Sequence, residues 1–562
     1  MNNKIRPIIL DTLKGYTKKD LMQDLVAGLI VAIIALPLSI ALALASGVGP
    51  EQGIYTAIVA GFVIALFGGS HVQISGPTAA FATIVAGIVA ESGMEGLMVS
   101  TILAGIILII MGVCRMGTLI KFIPLTITTG FTAGIAVTIV IGQLKDFFGV
   151  TYPAGMETIE SMEKLHAFAA GFSSSFNPHA LIVGAVCLAV LIIMPRITEK
   201  IPASLGAVVV GILMVQFLPL NVNTIGDLYT ISRELPRLTL PSFDYQLISS
   251  SLPNAFTIAI LAAIESLLSC VVADGMIHKK HRSNTELVAQ GLGNVASAVF
   301  GGIPATGAIA RTAANVKNGG VSPISGMVHS VVLLLVLVLL MPYAGLIPMP
   351  TIAAILFMVA YNMSHWHAFV NLVKTAPRWD TAVLIVTFVL TVVFDLVVAI
   401  YVGMMLACML FMKRMNDETA LVGWKYLEQL SPEQRKEEAS RLRQVPAAIR
   451  VYEISGPLFF GDSGVLDRIV FKDVTKYLVI RMRSVPYLDS TAMAAMHGLY
   501  SRCQRRGITL ILSHVNEQPM AAMERDGFVK LVGEANFCAN IDAALAHAEE
   551  MLRQDEGIIR ND

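Results

Sequence analysis

Two short motifs that contain glycine and proline interrupt strongly apolar sequence, Ser75-Gly76-Pro77-Thr78 and Pro304-Ala305-Thr306-Gly307. The small-residue segments that follow, 77–91 and 305–318, are too short to cross a bilayer comfortably. Proline near a helix start fixes φ without removing a needed donor, and unpaired N–H groups at a helix start attract anions. We therefore predict two half-helices whose N-termini meet around one anion. The candidate anion-binding residues are Gly76, Pro77, Thr78, Ala79, Ala305, Thr306, Gly307 and Ala308.

The alternative is that both motifs are kinks in ordinary helices. The occurrence of the motif twice, at matched positions, favours the half-helices. Extended backbone before each motif, at 71–75 and 301–303, is tolerated at membrane depth when it is buried in protein or lines a cavity.

A single carboxylate, Glu265, interrupts the apolar run 258–269. A charge inside a membrane helix is costly and by default functional. Ser269 lies one turn further on and faces the same side. We predict that Glu265 and Ser269 serve coupling, because a proton or a sodium ion on Glu265 removes its repulsion toward an anion. The alternative is a structural acid bonded to a serine or to backbone.

Arg311 lies about one and a half turns into the second predicted half-helix. It either raises the positive potential of the anion site or pairs with a structural acid such as Asp274. The basic run at 278–282 resembles a metal or lipid patch, but a solvated inner loop is favoured, and Asp395 is placed in an outer loop.

Long apolar runs supply the elements that must position these residues. About 20 apolar residues span a bilayer. Twelve segments satisfy this requirement: 24–47, 51–69, 96–113, 123–143, 178–195, 201–218, 252–276, 284–301, 323–341, 346–362, 377–394 and 397–414. With the two half-helices, we predict fourteen transmembrane elements.

Basic residues in the loops predict the orientation. If the N-terminus is inside, the inner loops hold most of them: Arg115, Lys121, Arg196, Lys200, Lys279, Lys280, Arg282, Lys317, Lys374 and Arg378. The outer loops hold only Lys145, Lys164, Arg233 and Arg237. This asymmetry follows the positive-inside rule and places both chain termini in the cytoplasm.

Landmark residues recur with nearly one spacing, which predicts an internal repeat. Pro77 and Pro304 lie 227 residues apart, and Pro124 and Pro348 lie 224 apart. The mid-membrane residues Pro37 and Glu265 lie 228 apart. Each repeat contains seven elements, an odd number, so the repeats have opposite topology. Inverted repeats are typical of transporters with a midplane site.

Composition excludes several classes of protein. The chain is 55% hydrophobic and 14% charged, with a formal net charge of +0, which argues against nucleic-acid binding. The six cysteines are scattered and form no metal-binding or disulfide pattern. No cleavable signal precedes the first apolar segment, and no catalytic constellation or cofactor motif indicates an enzyme.

Beyond the apolar region the chain has the composition of a soluble protein. Strands predicted at 448–454, 477–482 and 508–513 alternate with helices near 462–471, 490–505, 517–525 and 540–553, which indicates an α/β domain. We divide the chain into a cytoplasmic segment, 1–23, a transmembrane domain, 24–414, a helical linker, 415–445, an α/β domain, 446–553, and a tail, 554–562.

Five motifs resemble the SulP family of anion transporters, which includes the sulfate permeases, prestin and pendrin. Four lie in the apolar region: 75–78, 263–268, 291–294 and 310–316. The fifth, Leu488-Asp489-Ser490-Thr491-Ala492-Met493, is similar to the STAS-domain motif whose serine is phosphorylated in anti-sigma-factor antagonists, which places Ser490 in a regulatory role. The segments 264–268, 283–294 and 456–460 most resemble the bacterial aerobic C4-dicarboxylate transporters of the family.

The resemblance implies a membrane all-α fold with a 7+7 inverted repeat and a C-terminal α/β STAS domain. It implies a homodimer in the bacterial inner membrane, with a mobile core and a gate, and a cytoplasmic protein partner for the STAS domain. The predicted function is proton-coupled uptake of C4-dicarboxylates such as succinate, fumarate or aspartate by alternating access. The alternatives are sulfate or bicarbonate transport through the same site, coupled to protons or sodium, and an anion channel or sensor with STAS output.

Overall fold

The computed structural model describes residues 5–118, 124–153, 155–156, 158, 160–197, 202–229, 234–242, 244–394, 396–417, 420–423 and 445–559. The chain divides into two compact units, Met1–Met405 and Leu406–Asp562. Lys121, Lys200, Arg233, Asp395 and most of the predicted linker lie outside the described residues.

Helices occupy all of the predicted membrane segments in the described part of the chain. Their bounds are Lys18–Ala45, Pro50–Phe67, Ala82–Val113, Leu125–Phe148, Pro178–Ile197, Ala203–Phe217, Tyr245–Ile277, Ser283–Val299, Ile309–Lys317, Ile324–Ala344, Met349–Ser364, Arg378–Val393 and Leu396–Asp417. Eight of the described helices are long and apolar enough to cross a membrane. Four short helices lie outside the prediction: Ile9–Thr12, Ser161–Ser175, Ile225–Leu228 and Trp366–Thr375.

The third and fourth predicted elements form one kinked helix, Ala82–Val113. Gly93 breaks it with a φ of 66° and a ψ of −171°. Only glycine adopts such backbone readily, because it has no Cβ. The first half-helix is therefore the part before Gly93, and the fourth element is the part after it.

Two helices, Lys18–Ala45 and Tyr245–Ile277, begin six or seven residues earlier than predicted because their ends are polar. The first starts at Lys18 rather than at 24, where Thr17 forms a capping box with Asp20. Asp20 N–H donates to the Thr17 hydroxyl at 3.2 Å, and Thr17 N–H donates to the Asp20 carboxylate at 2.9 Å. Such caps satisfy donors that the first turn leaves free. An apolar-length criterion does not detect these polar turns.

Helix contacts occur in pairs that exchange the two halves of the chain, as an inverted repeat requires. Lys18–Ala45 packs on Ile324–Ala344, and in the matching contact Tyr245–Ile277 packs on Ala82–Val113. Pro50–Phe67, the second element, packs on its own counterpart, Ser283–Val299. The predicted 7+7 architecture is confirmed.

The helices of this unit form two packed groups. Elements 1–4 contact elements 8–11, as in the pairs just described. A second group is centred on Leu125–Phe148, which packs against Met349–Ser364 and Arg378–Val393. Pro178–Ile197 and Ala203–Phe217 pack on each other, and both contact Met349–Ser364. This division agrees with the core and gate that the family resemblance implies, in which elements 1–4 and 8–11 form the core and elements 5–7, 12 and 13 belong to the gate.

The second unit is an α/β domain built on a five-stranded sheet. In spatial order its strands are β3 (Ala420–Gly423), β4 (Ile449–Ser455), β5 (Tyr477–Ser484), β6 (Thr509–Ser513) and β7 (Phe537–Cys538). Strands β4 to β7 are parallel, and β3 pairs antiparallel with β4 at the edge. The prediction of a helical linker at 415–445 is wrong at β3, and residues 418–419 and 424–444 lie outside the described part.

Helices cover both faces of this sheet, so the central strands are buried on both sides. Ser490–Arg505 and Glu517–Asp526 contribute buried residues to one face, with Phe528–Val532 beside them. Ile541–Ile559 covers the other face through Ala544, Leu545 and Ala548. The helix predicted at 462–471 is instead a 3₁₀ helix, Phe460–Arg468.

Candidate functional site

Two very short strands bring the half-helices together. Strand β1 (Ser75–Gly76) pairs antiparallel with β2 (Thr306–Gly307), with Ser75 opposite Gly307 and Gly76 opposite Thr306. A further bond runs from Ala308 N–H to the Ile74 carbonyl at 2.9 Å. The helices that follow begin at Ala79, with one 3₁₀ turn, and at Ile309. The pairing of β1 with β2 therefore holds the two helix starts, at Ala79 and Ile309, close together. We call the place where these two starts meet the crossing point.

The structure corrects the predicted helix starts. The first helix begins at Ala79 rather than at 77, so Gly76 lies in β1 and Pro77 and Thr78 precede the helix. The second begins at Ile309 rather than at 305, so Ala305–Ala308 is extended backbone. Neither helix has a side-chain cap on its first N–H groups. The anion-attracting N-termini are therefore at 79–81 and 309–311.

Asn294 explains why the second helix starts late. Its side chain accepts from Ala305 N–H at 2.9 Å and donates to the Ala305 carbonyl at 2.9 Å. These two bonds satisfy the backbone of Ala305 in an extended conformation and remove the need for a helical turn there. Asn294 is fully buried. The motif prediction missed this role.

Thr306 is also occupied by protein contacts. Its hydroxyl lies 2.6 Å from that of Ser266, which in turn accepts from Gly307 N–H at 3.1 Å. Both hydroxyls are fully buried. Thr306 and Gly307 therefore hold β2 against the helix Tyr245–Ile277, whereas Thr78, which is half-buried, keeps the more accessible hydroxyl.

The site glycines make room for protein side chains. A Cβ on Gly76 would lie 2.7 Å from Nη1 of Arg311. A Cβ on Gly307 would lie 2.4 Å from Nε2 of Gln73. Both distances are shorter than any normal contact. We predicted that these glycines allow close approach of the anion, whereas in the structure they leave room for Arg311 and Gln73.

Arg311 lies at the crossing point and is 3% exposed. Its Nη2 donates to the Pro77 carbonyl, which ties the second half-helix to the residues before the first. Its Nη1 is buried and has no hydrogen-bond partner among the described residues. The alternative pairing with Asp274 is wrong, because Asp274 binds Nδ1 of His281 at 2.7 Å. A buried guanidinium with a spare donor is well suited to an oxyanion.

Glu265 reaches the same place from the helix Tyr245–Ile277. Its half-buried carboxylate accepts from the Thr78 hydroxyl at 3.1 Å. Ser269 does not share this contact, because its hydroxyl lies 3.4 Å from that of Thr312 and donates to it. The structure thus brings Glu265, Thr78 and Arg311 together around Pro77 and places Ser269 behind them.

A buried polar layer behind β1 was not predicted. Glu286, Gln290 and Asn294 recur at intervals of four on the helix Ser283–Val299, so they share one face. Glu286 is 1% exposed and accepts from Gly69 N–H at 2.9 Å, Gln73 Nε2 at 2.6 Å and Gln290 Nε2 at 2.8 Å. The polar i, i+4, i+8 spacing in an apolar segment was the available signal.

Replacement of Glu286 by leucine is expected to destabilise the core by about 3 kcal/mol or more, since three buried donors lose their acceptor at about 1–3 kcal/mol each. The melting temperature of the purified full-length protein in detergent should fall by several degrees. The matched control is Glu91→Gln, because Glu91 is exposed on the kinked helix. An unchanged melting temperature for Glu286→Leu would show that these bonds do not stabilise the core.

Ser490 lies in the second unit, in the first turn of the helix Ser490–Arg505, and is exposed. Asp489 caps this helix by accepting from Ala492 N–H at 2.8 Å, and it also accepts from Phe460 N–H at 2.9 Å. The Ser490 hydroxyl is therefore accessible at a capped helix start. Among the described residues, no group of three His, Cys, Asp or Glu side chains could hold a metal ion.

Residues 21–387 match the Sulfate permease family, and residues 441–544 match the STAS domain. The chain is 38% identical over 532 residues to the putative sulfate transporter YvdB of Bacillus subtilis, covering 93% of this chain and 97% of that protein. It is 30% identical over 499 residues to the bicarbonate transporter BicA of a Picosynechococcus species, covering 85% of this chain and 86% of that protein. Its fold resembles the solved structure of the murine solute carrier 26 family member A9 anion transporter, with a TM-score of 0.86, 18% identity, and coverage of 97% of this chain and 94% of that chain.

The family match covers more than half of the chain and contains all of the crossing-point residues described above. The relatives are transporters and not enzymes, as the sequence predicts. The chain belongs to the sulfate permease family of multi-pass membrane anion transporters and carries a C-terminal STAS domain.

Proposed function

We propose that this protein is a secondary active transporter of a small inorganic oxyanion, with sulfate as the first candidate. The observation that carries the proposal is the buried Arg311 guanidinium, whose Nη1 has no partner among the described residues where two uncapped helix starts meet. An oxyanion at this point accepts from the guanidinium and from the helix N–H groups together.

We rank sulfate above the C4-dicarboxylates, which the motif resemblance implied, as the candidate substrate. A relative named as a putative sulfate transporter matches this chain along almost its whole length, and a named bicarbonate transporter matches most of it. The sulfate or bicarbonate alternative therefore has more support than succinate, fumarate or aspartate. Bicarbonate is the second candidate on the same ground.

Glu265 is proposed to carry the coupling cation. Its carboxylate accepts a hydrogen bond from Thr78, the residue that precedes the first half-helix. A negative charge at this position repels an entering anion unless a cation neutralises it. A proton or a sodium ion on Glu265 removes this repulsion and links cation entry to anion entry. Ser269 supports the same helix face through Thr312 rather than binding the cation directly.

The remaining assignments follow the family fold and the charge pattern. The core group is proposed to move against the gate group by alternating access, in a homodimer. The protein is placed in the bacterial inner membrane with both termini in the cytoplasm, because basic residues concentrate in the predicted inner loops. The STAS domain is proposed to bind a cytoplasmic protein, with the exposed Ser490 as a phosphorylation site.

Uptake by proteoliposomes tests the substrate. Labelled sulfate should enter with saturable kinetics and should be competed by unlabelled sulfate more strongly than by succinate. Stronger competition by bicarbonate would select the second candidate, and stronger competition by succinate would restore the dicarboxylate prediction. Flux that follows voltage alone and never saturates would favour a channel and would contradict a secondary transporter.

A further inference from the structure

A fully buried histidine lies beside the anion site, and the proposed function does not use it. His329 is 0% exposed in the helix Ile324–Ala344. Neither Nδ1 nor Nε2 has a hydrogen-bond partner among the described residues. A buried imidazole always presents at least one donor, and an unmet polar group in a protein interior is costly. A buried histidine without a hydrogen-bond partner among the described residues, next to a candidate anion site, therefore indicates a functional role.

The helices that carry Arg311 and His329 are joined about one turn from both residues. Nδ2 of Asn315 donates to the Ser325 hydroxyl at 2.8 Å, which joins the second half-helix to the helix Ile324–Ala344. Arg311 lies one turn before Asn315 in its helix, and His329 lies one turn beyond Ser325 in the other.

The same position follows from the other side of β1. The point where a Cβ on Gly61 would lie is 3.2 Å from the Ser75 carbonyl and 3.9 Å from Nδ1 of His329. Ser75 precedes Gly76, against which Arg311 Nη1 packs. His329 and Arg311 therefore flank β1 at the crossing point.

Arg311 is the charged side chain that borders β1 near His329. The packed elements carry few other ionisable side chains. Asp24 and Tyr16 meet at Ser322, about two turns from His329, where Tyr16 donates to Asp24 at 2.6 Å. Glu51 and Tyr55 are at the far end of Pro50–Phe67; Glu51 lies ten residues from Gly61, about 15 Å along the axis. Lys317 is exposed at the end of its helix.

We propose that His329 is a proton-binding site that fills when an anion occupies the crossing point. The positive guanidinium opposes a second positive charge on the neighbouring ring while the site is empty. A divalent anion more than offsets the guanidinium, and the attraction of the remaining negative charge, which is strong in low-dielectric surroundings, opposes the cost of burying a charged imidazolium. One such anion thus brings one proton in addition to the cation on Glu265. This inference rests on the proposed function, because it needs an anion at Arg311.

Proton uptake on anion binding tests the proposal. Purified full-length protein in weakly buffered detergent solution receives sulfate, nitrate or succinate, and a pH indicator reports the protons taken up. Labelled sulfate and labelled succinate on the same samples report binding, and competition against them reports nitrate. Wild-type protein should take up one more proton per bound sulfate or succinate than His329→Gln, whereas nitrate, which only neutralises the guanidinium, should bring no such proton. The same difference of one should separate Glu265→Gln from the double variant, which keeps the His329 proton apart from any proton on Glu265.

The pH profile of affinity distinguishes this role from a structural one. Each linked proton contributes about a tenfold loss of anion affinity per unit rise in pH above its titration range. His329→Gln should lose one such contribution and still bind anion. His329→Asn provides a second variant if glutamine does not fold, and His166→Gln is the control, because His166 is exposed.

Unchanged proton uptake and an unchanged pH profile in a folded His329 variant overturn the proposal while leaving anion transport intact. If none of the three anions binds to wild-type protein, this proposal and the proposed function both fall. A third outcome is that the anion binds with the same one-proton difference between wild type and His329→Gln but is not transported. This outcome would support the proton site at His329 and contradict only the proposed transport function.

Discussion

Replacement of Arg311 by glutamine should lower anion uptake about 10- to 100-fold. A hydrogen bond to a charged group contributes about 1.5–3 kcal/mol, and 1.4 kcal/mol is a factor of ten. Nη1 of Arg311 is the buried donor at the crossing point with no partner among the described residues, so an anion there loses that bond and the positive charge. Labelled-anion binding and initial uptake rates measure both losses.

The matched control lies on the same helix. Lys317 is exposed at the C-terminal end of Ile309–Lys317, six residues beyond Arg311, so Lys317→Gln removes an equal charge without touching the crossing point. Its uptake should stay within a factor of two of wild type. Arg311→Lys should be intermediate, because an ammonium keeps the charge and loses the planar pair of donors.

Glutamine is two bonds shorter than arginine and does not reach the Pro77 carbonyl that Nη2 of Arg311 contacts, so the variant also loses the bond that joins the two half-helices. Equal melting temperatures for the variant and wild type would show that the fold is intact. Wild-type affinity in a folded Arg311→Gln protein would place the anion elsewhere, and the proposed site would then be wrong.

Long apolar runs made the membrane fold predictable. A span of about 20 apolar residues has few alternatives in a bilayer, so the elements and their repeat followed from sequence. Element ends were less predictable, because capped polar turns such as that at Thr17 extend helices beyond their apolar part. The edge strand β3 was missed because its four residues lie in a charged segment that has the pattern of a helix.

The site was predictable in position but not in register. The paired Gly/Pro motifs located the crossing point correctly, whereas helix starts depend on tertiary bonds. Asn294 holds Ala305 extended from another helix, and no local pattern encodes this contact. Likewise, a spacing of four placed Ser269 on the face of Glu265, but spacing fixes a face and not a partner, and the Ser269 hydroxyl reaches Thr312.

Replacement of Glu265 by glutamine should remove from driven accumulation the share of the cation that Glu265 carries, leaving the share of the proton on His329, and should preserve anion exchange. Glutamine keeps an oxygen that can accept from Thr78, so the contact at the half-helix survives. It cannot bind a proton or neutralise a sodium ion as a carboxylate does. With an inward gradient of one pH unit, each coupled proton supplies about 1.4 kcal/mol, which is tenfold in accumulation. The variant should therefore accumulate about tenfold less anion than wild type at this gradient.

Paired vesicle experiments separate the two candidate ions. Wild-type vesicles receive either an inward proton gradient without sodium or an inward sodium gradient without a proton gradient. The condition in which labelled sulfate accumulates identifies the coupling ion. Glu265→Gln should lose the response to a sodium gradient, or about one factor of ten per pH unit of the response to a proton gradient, and keep exchange of internal for external sulfate. Glu91→Gln, an exposed carboxylate on the kinked helix, should behave as wild type.

The exchange measurement shows whether a loss of driven uptake in Glu265→Gln reflects a coupling role of Glu265 or a structural one. A carboxylate that only supports the fold would take exchange and driven uptake down together, because a distorted crossing point binds no anion. Loss of driven uptake with exchange preserved requires that Glu265 bind the coupling ion, since exchange moves the loaded carrier in both directions and never needs the ion to leave. Undiminished gradient-driven uptake by Glu265→Gln would exclude this role, and His329 would then be the remaining ionisable residue beside Arg311 to test.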